Sequence, residues 1–64
     1  MRVIGYTLLN MRNNCCIKDG YFTIKRELAE FARLYKTWDE AWEDCEWWRN
    51  KDIPVIIIEI TKED

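Results

Sequence analysis

Two runs of apolar residues, one near each end of the chain, predict β-strands. Residues 2–9 are rich in β-branched and aromatic side chains, and residues 55–60 consist of Val, Ile and a single Glu. Strands this apolar are usually covered on both faces. We therefore expect the last strand to lie in the interior of the sheet, beside the first. Gly5 interrupts the first strand, which indicates a β-bulge or a close approach by another backbone segment.

The dipeptide Asp19-Gly20 predicts a β-hairpin between these two strands. Short apolar runs at residues 15–18 and 21–24 flank it. Asp and Gly both tolerate the positive φ angles that a two-residue hairpin turn requires. The hairpin therefore adds two antiparallel strands to the sheet.

The spacing of apolar residues changes after residue 25 and predicts a first helix. The residues that share one helical face are Ile24, Leu28, Phe31, Ala32 and Tyr35. Good helix formers fill the positions between them, and Thr23 is the expected N-cap. Residues 28–35 also fit a strand, but both of its faces would mix apolar and polar side chains. We therefore favour the helix.

A second helix is predicted from its two ends. Thr37 and Glu40 form a T-x-x-E capping box, in which the two side chains satisfy backbone N–H groups at the helix start. Asn50 is expected to end the helix in the left-handed conformation. The apolar stripe expected to face the core comprises Trp38, Ala41, Trp42 and Cys45, with Trp48 at its edge.

Together these elements predict a single α+β domain over residues 1–64. The expected order is a β-strand, a β-hairpin, two α-helices and a β-strand, in a mostly antiparallel sheet with the helices packed on one face. A domain of about 60 residues buries only about 60% of the surface that its unfolded chain exposes, which makes it marginally stable. We therefore expect a homo-oligomer, most simply a dimer.

Charge and composition argue against nucleic-acid binding and catalysis. Ten Lys and Arg residues face twelve Asp and Glu, whereas non-specific nucleic-acid binding needs a net basic surface. The chain has neither histidine nor serine, and no pair of acids is spaced for catalysis. We therefore expect a protein that is not an enzyme and has no catalytic residue or cofactor.

The three cysteines are expected to be reduced, which favours a cytoplasmic protein. Their number is odd, and Cys15 and Cys16 are adjacent, so they do not form a disulfide framework. With Cys45 they lack the C-x₂-C spacing of a structural zinc site, so no metal is expected. The start of the chain lacks the apolar core of a signal peptide, and no run reaches the length of a membrane span.

Trp47 is the most informative residue for function. At helical spacing it lies opposite the apolar stripe, on an acidic face. It is either covered by another segment or exposed as an interface residue, a role in which tryptophan is enriched. The predicted partner-binding residues are Trp47, Trp48, Glu40, Glu43 and Asp44.

Two functions follow as hypotheses. The first is a protein-interaction module. The composition suggests a low-GC genome, and compact proteins of this size are common in phages and mobile elements, where they bind and inhibit or regulate a host or defence protein. The alternative is an oligomer that captures a nucleotide or similar anion between subunits. The residues that support the alternative are Lys25, Arg26 and Arg33, together with Tyr21 and Tyr35.

Overall fold

Residues 1–63, which the computed structural model describes, form an antiparallel sheet, an α-helix and a short 3₁₀ helix. The elements are β1 (Arg2–Asn10), β2 (Cys15–Lys18), β3 (Tyr21–Lys25), a 3₁₀ helix (Arg26–Phe31), α1 (Trp38–Arg49) and β4 (Val55–Lys62). The strand order is β3-β2-β1-β4. The predicted α+β class and the pairing of the last strand with the first are confirmed. Neither helix is long and apolar enough to cross a membrane.

The predicted hairpin is present, with its turn at the predicted dipeptide. Asp19 and Gly20 have φ angles of 52° and 84°, in the left-handed region. β2 and β3 pair on either side of this turn, from Lys18 opposite Tyr21 to Cys15 opposite Lys25. The local turn chemistry therefore determines this part of the sheet.

β1 separates from β2 after a short pairing, and another segment occupies the space between them. β1 pairs with β2 only at Leu9 and Asn10, although it pairs with β4 along most of its length. Residues 33–35 lie beside the unpaired part of β1. Tyr6 and Tyr35 exchange two backbone hydrogen bonds, of 2.9 and 2.7 Å.

Gly5 makes this insertion possible. A Cβ atom at Gly5 would lie 3.0 Å from the carbonyl oxygen of Tyr35 and 3.3 Å from Cβ of Leu34, which is closer than side chains normally pack. The pairing of β1 with β4 also shifts register between Val3 and Gly5. Both interpretations of this glycine, a β-bulge and a close backbone approach, are confirmed.

The prediction of an α-helix after residue 25 is wrong. Residues 26–31 form a 3₁₀ helix with a non-helical Leu28 (φ −111°, ψ 23°), and its N-cap is Lys25, which makes no side-chain capping bond. Thr23, the expected cap, lies within β3. Since β3 extends to Lys25 and residues 33–35 pair with the sheet, too few residues remain for a stable α-helix.

The Thr37 N-cap of α1 is confirmed, but the Glu40 side chain bonds to the N–H of Lys36 instead of that of Thr37, and the predicted C-cap conformation is wrong. The backbone N–H of Glu40 donates to Oγ1 of Thr37 over 3.2 Å, and the Glu40 carboxylate accepts from the N–H of Lys36. Asn50 is right-handed (φ −66°), because its N–H still bonds to the carbonyl of Glu46. Asp52, two residues later, has the positive φ of 64°.

The two helices cover opposite faces of the sheet, so the prediction of helices on one face is wrong. Leu8 and Leu9 are successive strand residues and point to opposite faces. α1 packs on the Leu8 face, whose buried residues are Leu8, Ile17, Tyr35, Ala41, Cys45 and Val55. Ala32, just after the 3₁₀ helix, packs on the other face with Leu9 and Cys16.

β4 is an edge strand, contrary to the prediction that it is interior. Within residues 1–63 it pairs with β1 alone. Ile56 is 40% exposed, whereas Val55 and Ile60 are buried. Apolar residues on both faces of a strand indicate that other elements pack on both faces. They do not indicate whether the strand pairs with one neighbouring strand or with two.

Candidate functional site

Trp47 lies on the surface of α1 in a defined orientation. Its side chain is 54% exposed. Its ring meets that of Trp48 edge to face, with centroids 4.7 Å apart at 87°. The Nζ atom of Lys51 lies 4.4 Å from its ring centroid. Of the two alternatives for this residue, the structure shows the exposed one.

Trp48 provides a fixed support for Trp47. It is half-buried and packs edge to face on Phe22 of β3, with centroids 5.0 Å apart. Both rings pack against the core on the Leu8 face of the sheet. The exposed ring of Trp47 therefore contacts a side chain that itself packs on the core.

An open cleft lies between α1 and the β2–β3 hairpin. It has a volume of about 450 Å³, and its side walls come from Trp47 and Trp48 of the helix and from Tyr21 of the hairpin. Tyr21 is 71% exposed. Charged groups in the lining are Asp19, Arg33 and Asp44. We refer to this feature as the aromatic cleft.

Asp44 is held in the aromatic cleft by a buried tyrosine. The hydroxyl of Tyr35 donates a 2.6 Å hydrogen bond to Oδ2 of Asp44. The Tyr35 ring is 5% exposed, and the Arg33 guanidinium lies 5.0 Å from its centroid. Burial raises the pKa of Tyr35 above its usual range, and the hydrogen bond to Asp44 and the negative charge of Asp44 raise it further. Tyr35 therefore keeps its proton and continues to orient the Asp44 carboxylate.

The structure brings together three of the five predicted partner-binding residues. Trp47, Trp48 and Asp44 line the aromatic cleft. Glu40 instead caps α1, and Glu43 lies exposed on the helix outside this lining. Sequence reasoning missed Asp19 and assigned Tyr21 only to the alternative anion site. The hairpin signal located them in a turn, but nothing in the sequence indicated that this turn lies beside α1.

Trp38 is not part of the core, contrary to the prediction. It is 47% exposed and stacks on Trp42, with centroids 5.2 Å apart at 10°. The fully buried residues of α1 are the small Ala41 and Cys45. They let the helix lie close to the sheet, so the large indoles are displaced to its flanks.

The predicted basic cluster is divided between different surfaces. Arg33 lines the aromatic cleft and also a second open hollow of about 620 Å³, together with Lys18 and Phe31. Lys25 and Arg26 lie at the junction of β3 and the 3₁₀ helix. The cluster therefore does not form one continuous basic patch.

All three cysteines are free thiols, as predicted. Cys16 and Cys45 are buried, and this burial raises the pKa of both thiols. They are therefore protonated at neutral pH and are weak nucleophiles. Among residues 1–63, no group of three potential ligands is placed to hold a metal ion.

Comparison of the chain with protein-family models, with curated proteins and with solved structures gave no match. The chemistry of the aromatic cleft and the free edge of β4 are therefore the evidence for function.

Replacing Tyr35 by Phe should reduce the loss of stability in alkaline solution. An unfolded tyrosine releases its proton at about pH 10, before Tyr35 does in the folded protein. The stabilisation from Tyr35 is therefore complete below about pH 10 and is lost as the pH rises towards the higher folded pKa. Urea unfolding at about pH 8 and about pH 10.5 should show a larger fall in unfolding free energy for the wild type than for Tyr35→Phe.

Tyr21→Phe is the matched control, because it removes a hydroxyl from an exposed tyrosine of the same site. Its pH dependence should follow that of the wild type. If Tyr35→Phe also followed the wild type, Tyr35 would not hold Asp44 in the way described.

Proposed function

We propose that this chain is a small, non-enzymatic protein-interaction module that binds its partner through the aromatic cleft. The observation that carries the proposal is the half-exposed, oriented ring of Trp47. Tryptophan contributes strongly at interface centres because it buries a large area. A side chain already held by a neighbour loses little conformational entropy on binding.

The charge of α1 supports a partner with a basic surface. The helix carries five acids and one arginine, and these residues are Asp39, Glu40, Glu43, Asp44, Glu46 and Arg49. A surface of one sign accelerates association with a partner of the opposite sign and disfavours partners of the same sign. We therefore propose docking with α1 facing the partner's basic surface.

The proposed class of partner rests on the size and composition of the chain. A composition rich in Ile, Asn, Lys, Glu and Asp suggests a low-GC genome, and compact proteins of this size are common in phages and mobile elements. We propose that the partner is a host or defence protein, and that binding inhibits or regulates it.

Trp47→Ala should abolish partner capture. Affinity capture from the native host, followed by quantitative mass spectrometry, should recover the partner with the wild type and lose it with Trp47→Ala. Trp38→Ala is the matched control, since Trp38 is similarly exposed on the same helix but lies outside the aromatic cleft. Equal recovery with Trp47→Ala and the wild type would rule out docking through this cleft.

We further propose that the protein is a homodimer formed along the free edge of β4. β4 is eight residues long, begins with four apolar residues and contains no proline, and its charged residues are Glu59 and the terminal Lys62. Two-fold pairing centred on Ile58 would place Ile56 opposite Ile60 of the second copy, on one face. The partly exposed Ile56 would then be covered by the second copy.

Ile56→Lys should convert this dimer to a monomer, because the proposed pairing would cover position 56 and would have to bury an unpaired ammonium group there. Sedimentation at high micromolar concentration should show a dimer for the wild type and a monomer for the variant. Thr23→Lys, on the opposite edge strand β3, should remain dimeric. A monomeric wild type at this concentration would exclude the dimer.

A specific observation favours the alternative of nucleotide or anion binding. Lys18, Arg33 and Asp19 line the second hollow, with a net charge of one positive unit, together with Phe31, which is 61% exposed. Two cations can bind a phosphate, and an aromatic face can stack on a base. Several such sites would be present in an oligomer.

A thermal-unfolding panel of nucleotides tests this alternative. A nucleotide at about 100 times its Kd should add about 2.7 kcal/mol to the unfolding free energy. Arg33→Gln should remove this increase, whereas Lys25→Gln, which alters a basic residue outside the hollow, should retain it. An unfolding temperature that no nucleotide changes would exclude the alternative.

A further inference from the structure

We infer that the aromatic cleft accepts a positively charged side chain, a lysine or an arginine, of the protein partner. This inference rests on the proposed function and specifies which group of the partner enters the site. It follows from the aromatic walls, from the charges in the lining and from the position of Lys51.

The walls of the aromatic cleft suit a cation. Trp47, Trp48 and Tyr21 supply three aromatic rings within one concave site. The face of such a ring attracts an ammonium or guanidinium group, and tryptophan does so most strongly. Trp47 already has the Lys51 ammonium 4.4 Å from its ring centroid.

The charges in the lining favour the same occupant. Asp19 and Asp44 contribute two negative charges and Arg33 one positive charge, so the lining has a net charge of one negative unit. Asp44 is fixed by the 2.6 Å bond from the Tyr35 hydroxyl, so it needs little rearrangement to meet a cation. The Arg33 guanidinium lies 5.0 Å from the centroid of the Tyr35 ring.

Other side chains fit this lining less well. A carboxylate would be attracted by Arg33 but repelled by both Asp19 and Asp44, so the lining disfavours it. An apolar side chain would displace water from Asp44 without replacing the lost hydration. A lysine or arginine side chain can place its methylene groups against the indoles and its charge beside the acids.

Lys51 lies outside the lining of the aromatic cleft, but its positive charge is close to it. Its ammonium is near the ring that the partner's cation would contact, and its charge opposes a second cation. Removing this charge should therefore strengthen the binding of a cationic group. If the site recognised only apolar groups, removal of the Lys51 charge would not strengthen the binding of a cation.

Nuclear magnetic resonance with terminally blocked tripeptides tests the inference. The central residue is lysine, arginine, norleucine or glutamate, and the chain's four tryptophans carry ¹⁵N-labelled indoles. The lysine and arginine peptides should shift the Trp47 and Trp48 signals and leave those of Trp38 and Trp42 unchanged. The norleucine and glutamate peptides should bind at least about twofold more weakly.

Three variants distinguish charge-dependent recognition from non-specific binding. Asp44→Asn keeps an acceptor for Tyr35 and should weaken binding of the lysine peptide by about two- to fivefold. Glu43→Gln removes the same charge from the same helix outside the cleft lining and should change binding by less than about twofold. Lys51→Met should strengthen binding by about two- to fivefold.

Each opposite result overturns the inference. These results are equal binding of the norleucine and lysine peptides, equal effects of Asp44→Asn and Glu43→Gln, and weaker binding by Lys51→Met. If partner capture depends on Trp47 but the peptides do not distinguish charge, the inference fails and the proposed function stands. If the cationic peptides bind but capture is independent of Trp47, the proposed function fails instead.

Discussion

The insertion of residues 33–35 beside β1 is the constraint on which the rest of the structure depends. Tyr6 and Tyr35 join the two segments through paired backbone hydrogen bonds, and the backbone N–H of Arg33 donates to the carbonyl of Ile17. These bonds satisfy backbone groups that the separation of β1 from β2 would otherwise leave unpaired. The insertion requires a residue without a side chain at position 5, because a Cβ atom there would press on the inserted segment.

This insertion also builds one wall of the candidate site. It buries the Tyr35 ring under α1, where its hydroxyl meets Asp44, and it places Arg33 in the lining of the aromatic cleft. It commits residues 33–35 to extended backbone, which limits the preceding segment to a 3₁₀ helix. The pairing of Tyr35 with Tyr6 therefore explains why the predicted first α-helix does not form. It also explains the positions of Arg33 and the Asp44 carboxylate in the aromatic cleft.

Sequence reasoning succeeded where the signal is local. The Asp19-Gly20 turn, the Thr37 cap and the position of Trp47 off the apolar stripe each depend on a few neighbouring residues. It failed where the outcome depends on distant segments. The apolar spacing of residues 24–35 fits a helix, yet Tyr35 pairs with Tyr6, and that pairing leaves no trace in local periodicity. The sequence of β4 shows that both faces are apolar but not that one edge is free.

The site was found only in part for the same reason. Trp47, Trp48 and Asp44 lie on one helix, so helical spacing relates them directly. Asp19 and Tyr21 reach the aromatic cleft because the hairpin lies beside α1, which is a tertiary contact. The helix lies close to the sheet through the small side chains of Ala41 and Cys45, and this places its indoles at the flanks instead of in the centre.

The two proposed interaction surfaces are compatible because they lie at opposite edges of the sheet. The aromatic cleft involves the β2–β3 hairpin, whereas the proposed dimer would form along β4, and the order β3-β2-β1-β4 separates them. Pairing of β4 with its copy would give a continuous eight-stranded sheet with a hairpin at each outer end. Such a dimer presents two clefts at once, and a partner that is itself oligomeric would be held by both, with an avidity well above the affinity of one cleft.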